Sequence, residues 1–251
     1  MIDLHTHILP GIDDGARTME DALGMARAAL ADGIRFVAAT PHVRDDWPTA
    51  AETMERRVAE LRAALAVAGI SLDVRPGGEL ALDRFDLLGR VELARFGLGG
   101  NPRALLIEFP YYGWPLALEP RVRELAGRGI RPVIAHPERN AEVQESPERL
   151  RPSVDAGALV QVTAASVDGR IGRPSREAAF ELIERGLAHL IASDAHAPDV
   201  RGVGLRAAAA AVSDPALVRW LIQDVPAAVV AGTPVPPRPW MSRRRRRLFG
   251  R

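Results

Sequence analysis

The feature that most restricts the fold is an alternation running through almost all of the 251-residue chain: short apolar segments, each followed by a longer stretch of amphipathic helical periodicity. The segments 1–4, 35–40, 71–75, 104–107, 131–135, 158–162 and 187–192 read as strands, and helical patterns at 19–31, 50–68, 116–127 and 176–185 lie between them. Several helices carry boundary signals: Thr18 or Thr49 ahead of the periodic run, and Gly33, Gly69 or Gly186 soon after it. Strands that alternate with helices are joined by crossovers and lie parallel. Seven of them in a chain of this length predict an α/β fold, a distorted seven-stranded (β/α)7 barrel one strand short of the common eight. No linker or repeat interrupts residues 1–232, which are expected to form a single domain. Residues 233–251 turn to proline and arginine (PVPPRPW, then RRRRR) and are expected to be a flexible tail.

Two missing residue types narrow the chemistry. There is no cysteine, which removes disulfides, thiolate nucleophiles and zinc–thiolate sites. There is no lysine either, so all 33 basic residues are arginine; a GC-rich coding bias accounts for this, and it rules out a carbamylated lysine bridging two metals. The net charge of +1 gives no general attraction to nucleic acid or membrane. That balance is uneven, because Arg243, Arg244, Arg245, Arg246 and Arg247 form one run and the body without it is mildly acidic. No stretch reaches the roughly 18 apolar residues of a membrane span. No basic segment followed by an apolar one marks a secretion signal, so the cytoplasm is the expected location.

The placement of polar residues points to the function. Five of the six histidines fall just after a predicted strand, where a β/α barrel builds its active site. His5 and His7 follow the first strand and, two residues apart in extended chain, point the same way. Asp13 and Asp14 occupy the next loop, LPGIDDG. His42 follows the second strand in ATPH, and Glu79 the third in PGGE. Glu108 ends the fourth in LLIE, His136 the fifth in VIAH, and Asp194 with His196 the last in IASDAH. Imidazoles mixed with carboxylates, without thiolates, suit Zn²⁺, Mn²⁺ or Fe²⁺, and this many ligands are enough for two or three ions. Each short motif is common alone, and each residue alone reads as an ordinary polar loop residue. Their joint placement at strand ends is what argues for a metal-dependent hydrolase. His189 is the contrasting case: inside the last strand on the opposite parity from Asp194, it is expected to face the helices as a packed, hydrogen-bonded side chain.

The runs DLHTHILPGIDDG, ATPH, GGE, IEFP, HPERN and SDAH, in that order, resemble the polymerase and histidinol phosphatase (PHP) superfamily. Within it the chain looks like the bacterial manganese-dependent protein-tyrosine phosphatases of capsule and exopolysaccharide operons. The resemblance runs from Met1 to about Gly232 and implies a PHP-type barrel with three metals. It implies a first ion on His5, His7, Glu79 and Asp194, a second on Glu79 (bridging), Glu108 and His136, and a third on Asp14, His42 and His196. Arg139 of HPERN and Arg201 match the family's phosphate-binding arginines, which would clamp the phosphate oxygens in the transition state. The implied cofactor is two or three divalent ions, Mn²⁺ first, with Fe²⁺, Zn²⁺ or Co²⁺ as alternatives. The implied reaction is hydrolysis of protein phosphotyrosine by metal-bound hydroxide, with no phosphoenzyme. Elementary chemistry agrees, since a phosphate dianion must be neutralised before an anion attacks it, and divalent ions do both tasks.

The implied substrate is the tyrosine-rich tail of a membrane-associated kinase regulating capsule or exopolysaccharide synthesis. The arginine run would add weak contact with an anionic leaflet, at the inner face of the membrane, and no specific nucleic acid is expected. Two alternatives stand: a histidinol-phosphate or other small-molecule phosphatase of the same superfamily, and a non-enzymatic metal-binding regulator, which predicts gaps among the ligands where none occur. Tyr111 and Tyr112, with Trp114 nearby, either stack on a phosphotyrosine ring or pack over the barrel rim.

Overall fold

The structure, a computed structural model, describes residues 1–197 and 202–239. Arg201 and the terminal arginine run lie outside the described residues.

Every expected strand segment contains a strand. In chain order these are β1 (Ile2–Thr6), β2 (Phe36–Ala39), β4 (Asp73–Pro76), β6 (Ala104–Glu108), β7 (Arg131–Ala135), β8 (Leu159–Thr163) and β9 (Leu190–Ala192). Two more strands, β3 (His42–Val43) and β5 (Glu79–Ala81), prolong β2 and β4 beyond short breaks. All the pairings are parallel, as expected of crossover connections. The seven segments do not share one continuous ladder: among the described residues nine strands make two sheets, in the orders β1-β2-β4 and β3-β5-β6-β7-β8-β9.

The physical reason lies at the breaks. Pro41 has no N–H to continue the ladder after β2, and Gly77–Gly78 bends the chain between β4 and β5. A Cβ on Gly78 would lie 2.6 Å from the Phe96 ring, so only glycine lets the backbone pass this close before Glu79. The sheets still meet at both junctions. Glu79 N–H donates to the Pro41 carbonyl (3.0 Å), and Thr6 bridges to Ala195. There His7 N–H donates to Ala195 (2.8 Å) and Asp194 N–H to the His5 carbonyl (2.9 Å).

Helices cover the strands by burying one stripe each. The helix Met19–Asp32 buries Ala22, Met25, Ala26 and Ala29, starts with a reciprocal Thr18–Asp21 capping box and stops at left-handed Gly33. The helix Ala51–Val67 begins at Ala50 without a side-chain cap, so Thr49 is not the start signal its sequence position suggested.

The expected tail is docked over its first part. Arg131, at the start of β7, donates to the Thr233 carbonyl (3.1 Å). Buried Trp220 donates from Nε1 to the Pro236 carbonyl (2.9 Å), and Arg238 donates to the Ile183 carbonyl (2.5 Å). The strap 233–239 therefore begins beside the N-terminal ends of the strands, held there by polar groups that proline-rich chain leaves free to accept. Among the described residues no helix is long and apolar enough to cross a membrane.

Candidate metal centre

The C-terminal ends of β1, β6, β7 and β9 converge with the first residues of β3 and β5, and with them all nine sequence-predicted ligands. All are buried except Asp14, whose side chain is 43% exposed and marks the open side of the site.

The tightest group is His5, His7, Glu79 and Asp194. His5 Nε2 stands 3.3 Å from His7 Nε2, 3.3 Å from Glu79 Oε2 and 3.4 Å from Asp194 Oδ1. His7 Nε2 is 3.4 Å from each of the same two oxygens. The other ring nitrogens decide what these atoms carry. His7 Nδ1 donates to Asp13 Oδ2 at 2.7 Å. His5 Nδ1 donates to Gln161 Oε1 at 3.0 Å, and that oxygen also accepts the His136 N–H (3.3 Å), which fixes it as an acceptor. With the proton on Nδ1, each Nε2 offers a lone pair. Two lone pairs thus stand close together between two carboxylate oxygens, a set of donor atoms suited to a cation. His5, His7 and Asp194 form one cluster able to hold a cation, and His5, Glu79 and His136 form another, so Asp194 and Glu79 flank the histidine pair. The residues fit a metal.

Glu79 joins this group to the others. Its Oε1 meets His136 Nε2 at 2.6 Å, and its Oε2 meets His42 Nδ1 at 2.9 Å. Those last two buried atoms have no hydrogen-bond partner. His42 Nδ1 is also 3.4 Å from Glu108 Oε1. The second group expected from the sequence is therefore divided here: His136 clusters with His5 and Glu79, whereas Glu108 clusters with His42 and Glu79. A fourth cluster holds His7, Asp14, His42 and His196, with Asp14 Oδ1 at 3.4 Å from His42 Nε2 and 3.3 Å from His196 Nε2. His196 Nδ1 donates to the Asp194 carbonyl (2.9 Å), so its Nε2 too presents a lone pair.

The electrostatics reflect how closely the carboxylates surround the imidazoles. Burial pushes the pKa of His5 down, but Glu79 and Asp194 outweigh it and the net shift is upward. His7 is driven well above its ordinary value, against its own burial, chiefly by Asp13. Burial raises Glu79, yet His5 and His136 hold it well below the usual carboxylate range. Backbone geometry is equally particular: His136 (φ 33°) and Asp194 (φ 52°) are two of only three non-glycine residues at positive φ among the described residues. Such conformations cost about 1–3 kcal/mol and persist where surrounding structure fixes them.

Arg139 reaches the same centre, donating from Nη1 to Asp194 Oδ2 at 2.8 Å with its guanidinium 4.4 Å from the Tyr111 ring centroid. Tyr111 is partly covered, while Tyr112 stands out in solvent. Sequence reasoning missed three participants. Asp13 was placed in the loop without a role; it orients His7 and accepts the His42 N–H at 3.1 Å. Gln161 gave one faint signal, an amide inside the otherwise apolar run ALVQV. Arg44 lies against Glu108 Oε1 at 3.5 Å and pairs with Asp46 at 2.7 Å. Conversely, His189 stays apart, its Nδ1 accepting the Val160 N–H at 3.2 Å beside Trp220.

A family model described as "Capsular polysaccharide synthesis, CpsB/CapC" matches residues 1–216. The chain belongs to the CpsB/CapC family. Among curated members, tyrosine-protein phosphatase YwqE of Bacillus subtilis is 39% identical over 201 residues, covering 78% of this chain and 77% of that protein. Tyrosine-protein phosphatase CpsB of Streptococcus pneumoniae is 28% identical over 212 residues, covering 80% and 85%. A solved structure from work on YwqE and CpsB, described there as unique metal-dependent tyrosine phosphatases, superposes with a TM-score of 0.85 at 32% identity. It covers 96% of this chain and 100% of that one, so this CpsB/CapC member shares its mixed α/β architecture.

Proposed function

We propose that this CpsB/CapC member is a metal-dependent phosphatase that hydrolyses phosphotyrosine on protein, acting in capsule or exopolysaccharide synthesis. The observation that carries the reading is the pair of Nε2 lone pairs of His5 and His7, 3.3 Å apart and facing Glu79 and Asp194. These donor atoms suit a divalent cation, and the matched relatives are named tyrosine-protein phosphatases. In this reading His5, His7, Asp14, His42, Glu79, Glu108, His136, Asp194 and His196 hold two or three divalent ions, Mn²⁺ before the others. When bound, such ions offset phosphate charge and lower the pKa of water.

The chain's own groups do the rest. Asp13, Gln161 and the Asp194 carbonyl set the tautomers that aim His7, His5 and His196. Arg139, already within reach of Asp194 Oδ2, turns its planar donors to the phosphate oxygens, and Arg201 is the second clamp. Tyr111 holds the Arg139 guanidinium in place by covering its face. We read the two sheets as one distorted barrel of seven strand units, β2 with β3 and β4 with β5 each counting once, within a catalytic domain of residues 1–232. The substrate we propose is a membrane-associated tyrosine kinase reached from the cytoplasm, with weak anionic-lipid contact through residues 243–247.

The test assays protein purified without chelator, its metals counted by elemental analysis, against a phosphotyrosine peptide, a phosphoserine peptide and histidinol phosphate side by side. Two or three metals and preferential release of phosphate from phosphotyrosine are expected. Full activity in a metal-free sample would refute the metal reading, and preference for histidinol phosphate would replace the substrate class.

A further inference from the structure

Next to the metal centre lies a cavity of about 580 Å³ that the reaction itself does not use. Glu108 and Tyr111 are among its lining residues, so it borders the candidate metal centre. Leu82, Phe109 and Pro110 contribute its apolar lining. The two chain segments that frame it also carry exposed Leu87, Tyr112 and Leu116, where a polar surface is the norm. Its rim is charged, and the charges do not balance. Arg44 is matched by Asp46, Arg84 by Asp45 and Arg121 by Asp86. Asp83, 69% exposed and 3.4 Å from an Arg84 already paired elsewhere, is left over. The lining thus carries more carboxylates than guanidinium groups beside an apolar surface.

We infer that this groove seats the polypeptide beside the phosphotyrosine and selects segments that place an apolar side chain and a lysine or arginine within about three residues of it, at ~3.4 Å of extended chain per residue. The inference rests on the phosphatase reading for the phosphate end only. Glu108, which clusters with His42 and Glu79, and Tyr111, which covers Arg139, both line the cavity, so a segment attached to a phosphotyrosine at the centre can run into it. Volumes of this size suit side chains of a bound segment rather than an inorganic ion. Apolar walls supply affinity, and the surplus carboxylate supplies the sign of the charge preferred.

The experiment measures equilibrium binding, so it does not depend on turnover. Fluorescent tyrosine peptides carrying a non-hydrolysable phosphonomethyl group are titrated into the metal-loaded full chain, with leucine plus lysine, or serine plus glutamate, flanking the tyrosine. The leucine–lysine peptides should bind about fivefold more tightly, the difference shrinking at high salt, as exposed pairs worth roughly 1 kcal/mol or less predict. Asp83→Arg should abolish or invert the charge part of that preference and leave hydrolysis of p-nitrophenyl phosphate unchanged. Leu82→Ser, in the apolar lining, should weaken the leucine part alone. Equal binding of both peptide classes to the unaltered chain overturns the groove, as does a preference that survives Asp83→Arg intact. Hydrolysis of p-nitrophenyl phosphate, scored separately, reports on the phosphatase reading by itself.

Discussion

Gln161 offers no atom to a cation, yet it determines which nitrogen of His5 points at the centre. Replacing it with leucine frees His5 to turn or to change tautomer. Metal affinity should then fall about 10–100-fold, the usual effect of losing an outer partner of a ligand. Gln161→Glu, which retains an acceptor, should recover most of it; metal titration with circular dichroism as a check on folding separates this from simple unfolding. A second residue reports on pH. Burial pushes the His189 imidazole down to about 4, so it is neutral in the folded chain. The unfolded chain titrates near the ordinary value of about 6.5 and takes up the proton first. Stability should therefore fall as pH drops from about 6.5 to 4, by about 3 kcal/mol from this group. His189→Asn keeps an acceptor for Val160 N–H and cannot titrate, so its urea-unfolding free energy should change less across that window than the parent's. At this scale the residues that cluster were legible, because a histidine or carboxylate just past an apolar strand is a local pattern. Gln161 was not: its partner lies 156 positions away, and nothing local announces that contact.

Elements were legible as apolar segments and illegible as ladders. Hydrophobic periodicity reports which side of a strand is covered, and it found all seven segments. It carries no information on whether hydrogen bonding continues, and so it missed the interruptions at Pro41 and Gly77–Gly78 that split the ladder into two sheets. The left-handed turns at His136 and Asp194 were equally silent, since neither residue type requires that conformation. The break before β5 has a direct use, because it delivers Glu79 to the centre past the Phe96 ring. Gly78→Ala should cost about 1–3 kcal/mol through overpacking against that ring. It should also lower the metal content of the purified protein, because Glu79 is the carboxylate common to two of the groups. Urea midpoints and elemental analysis check both, and an unchanged metal content would show that Glu79 is positioned by something other than this glycine.

For the whole molecule, the centre is also a clasp between the two sheets: His5 belongs to one, and Glu79 and Gln161 to the other. An ion there binds the folded chain and not the unfolded one. At a thousandfold excess over its dissociation constant it contributes about 4 kcal/mol. Chelation should lower the melting temperature by about 10 °C in a chain of this size, and resupplying Mn²⁺ should restore it. The strap 233–239 adds a spatial consequence. It begins at the N-terminal ends of the strands, whereas the catalytic mouth opens at their C-terminal ends. If residues 243–247 hold lipid at about 1 kcal/mol per arginine, the mouth points away from the bilayer. A domain of this length is about 45 Å across. A tyrosine rooted in the same bilayer then needs a leash of at least about 13 extended residues to reach the site. On anionic vesicles, lipid-anchored phosphopeptides with a five-residue linker should resist the intact chain while those with a thirty-residue linker are cleaved. A chain ending at Trp240 should lose vesicle binding and show no such threshold, so the length of a substrate's tether, and not only its sequence, would decide which tyrosines are reachable.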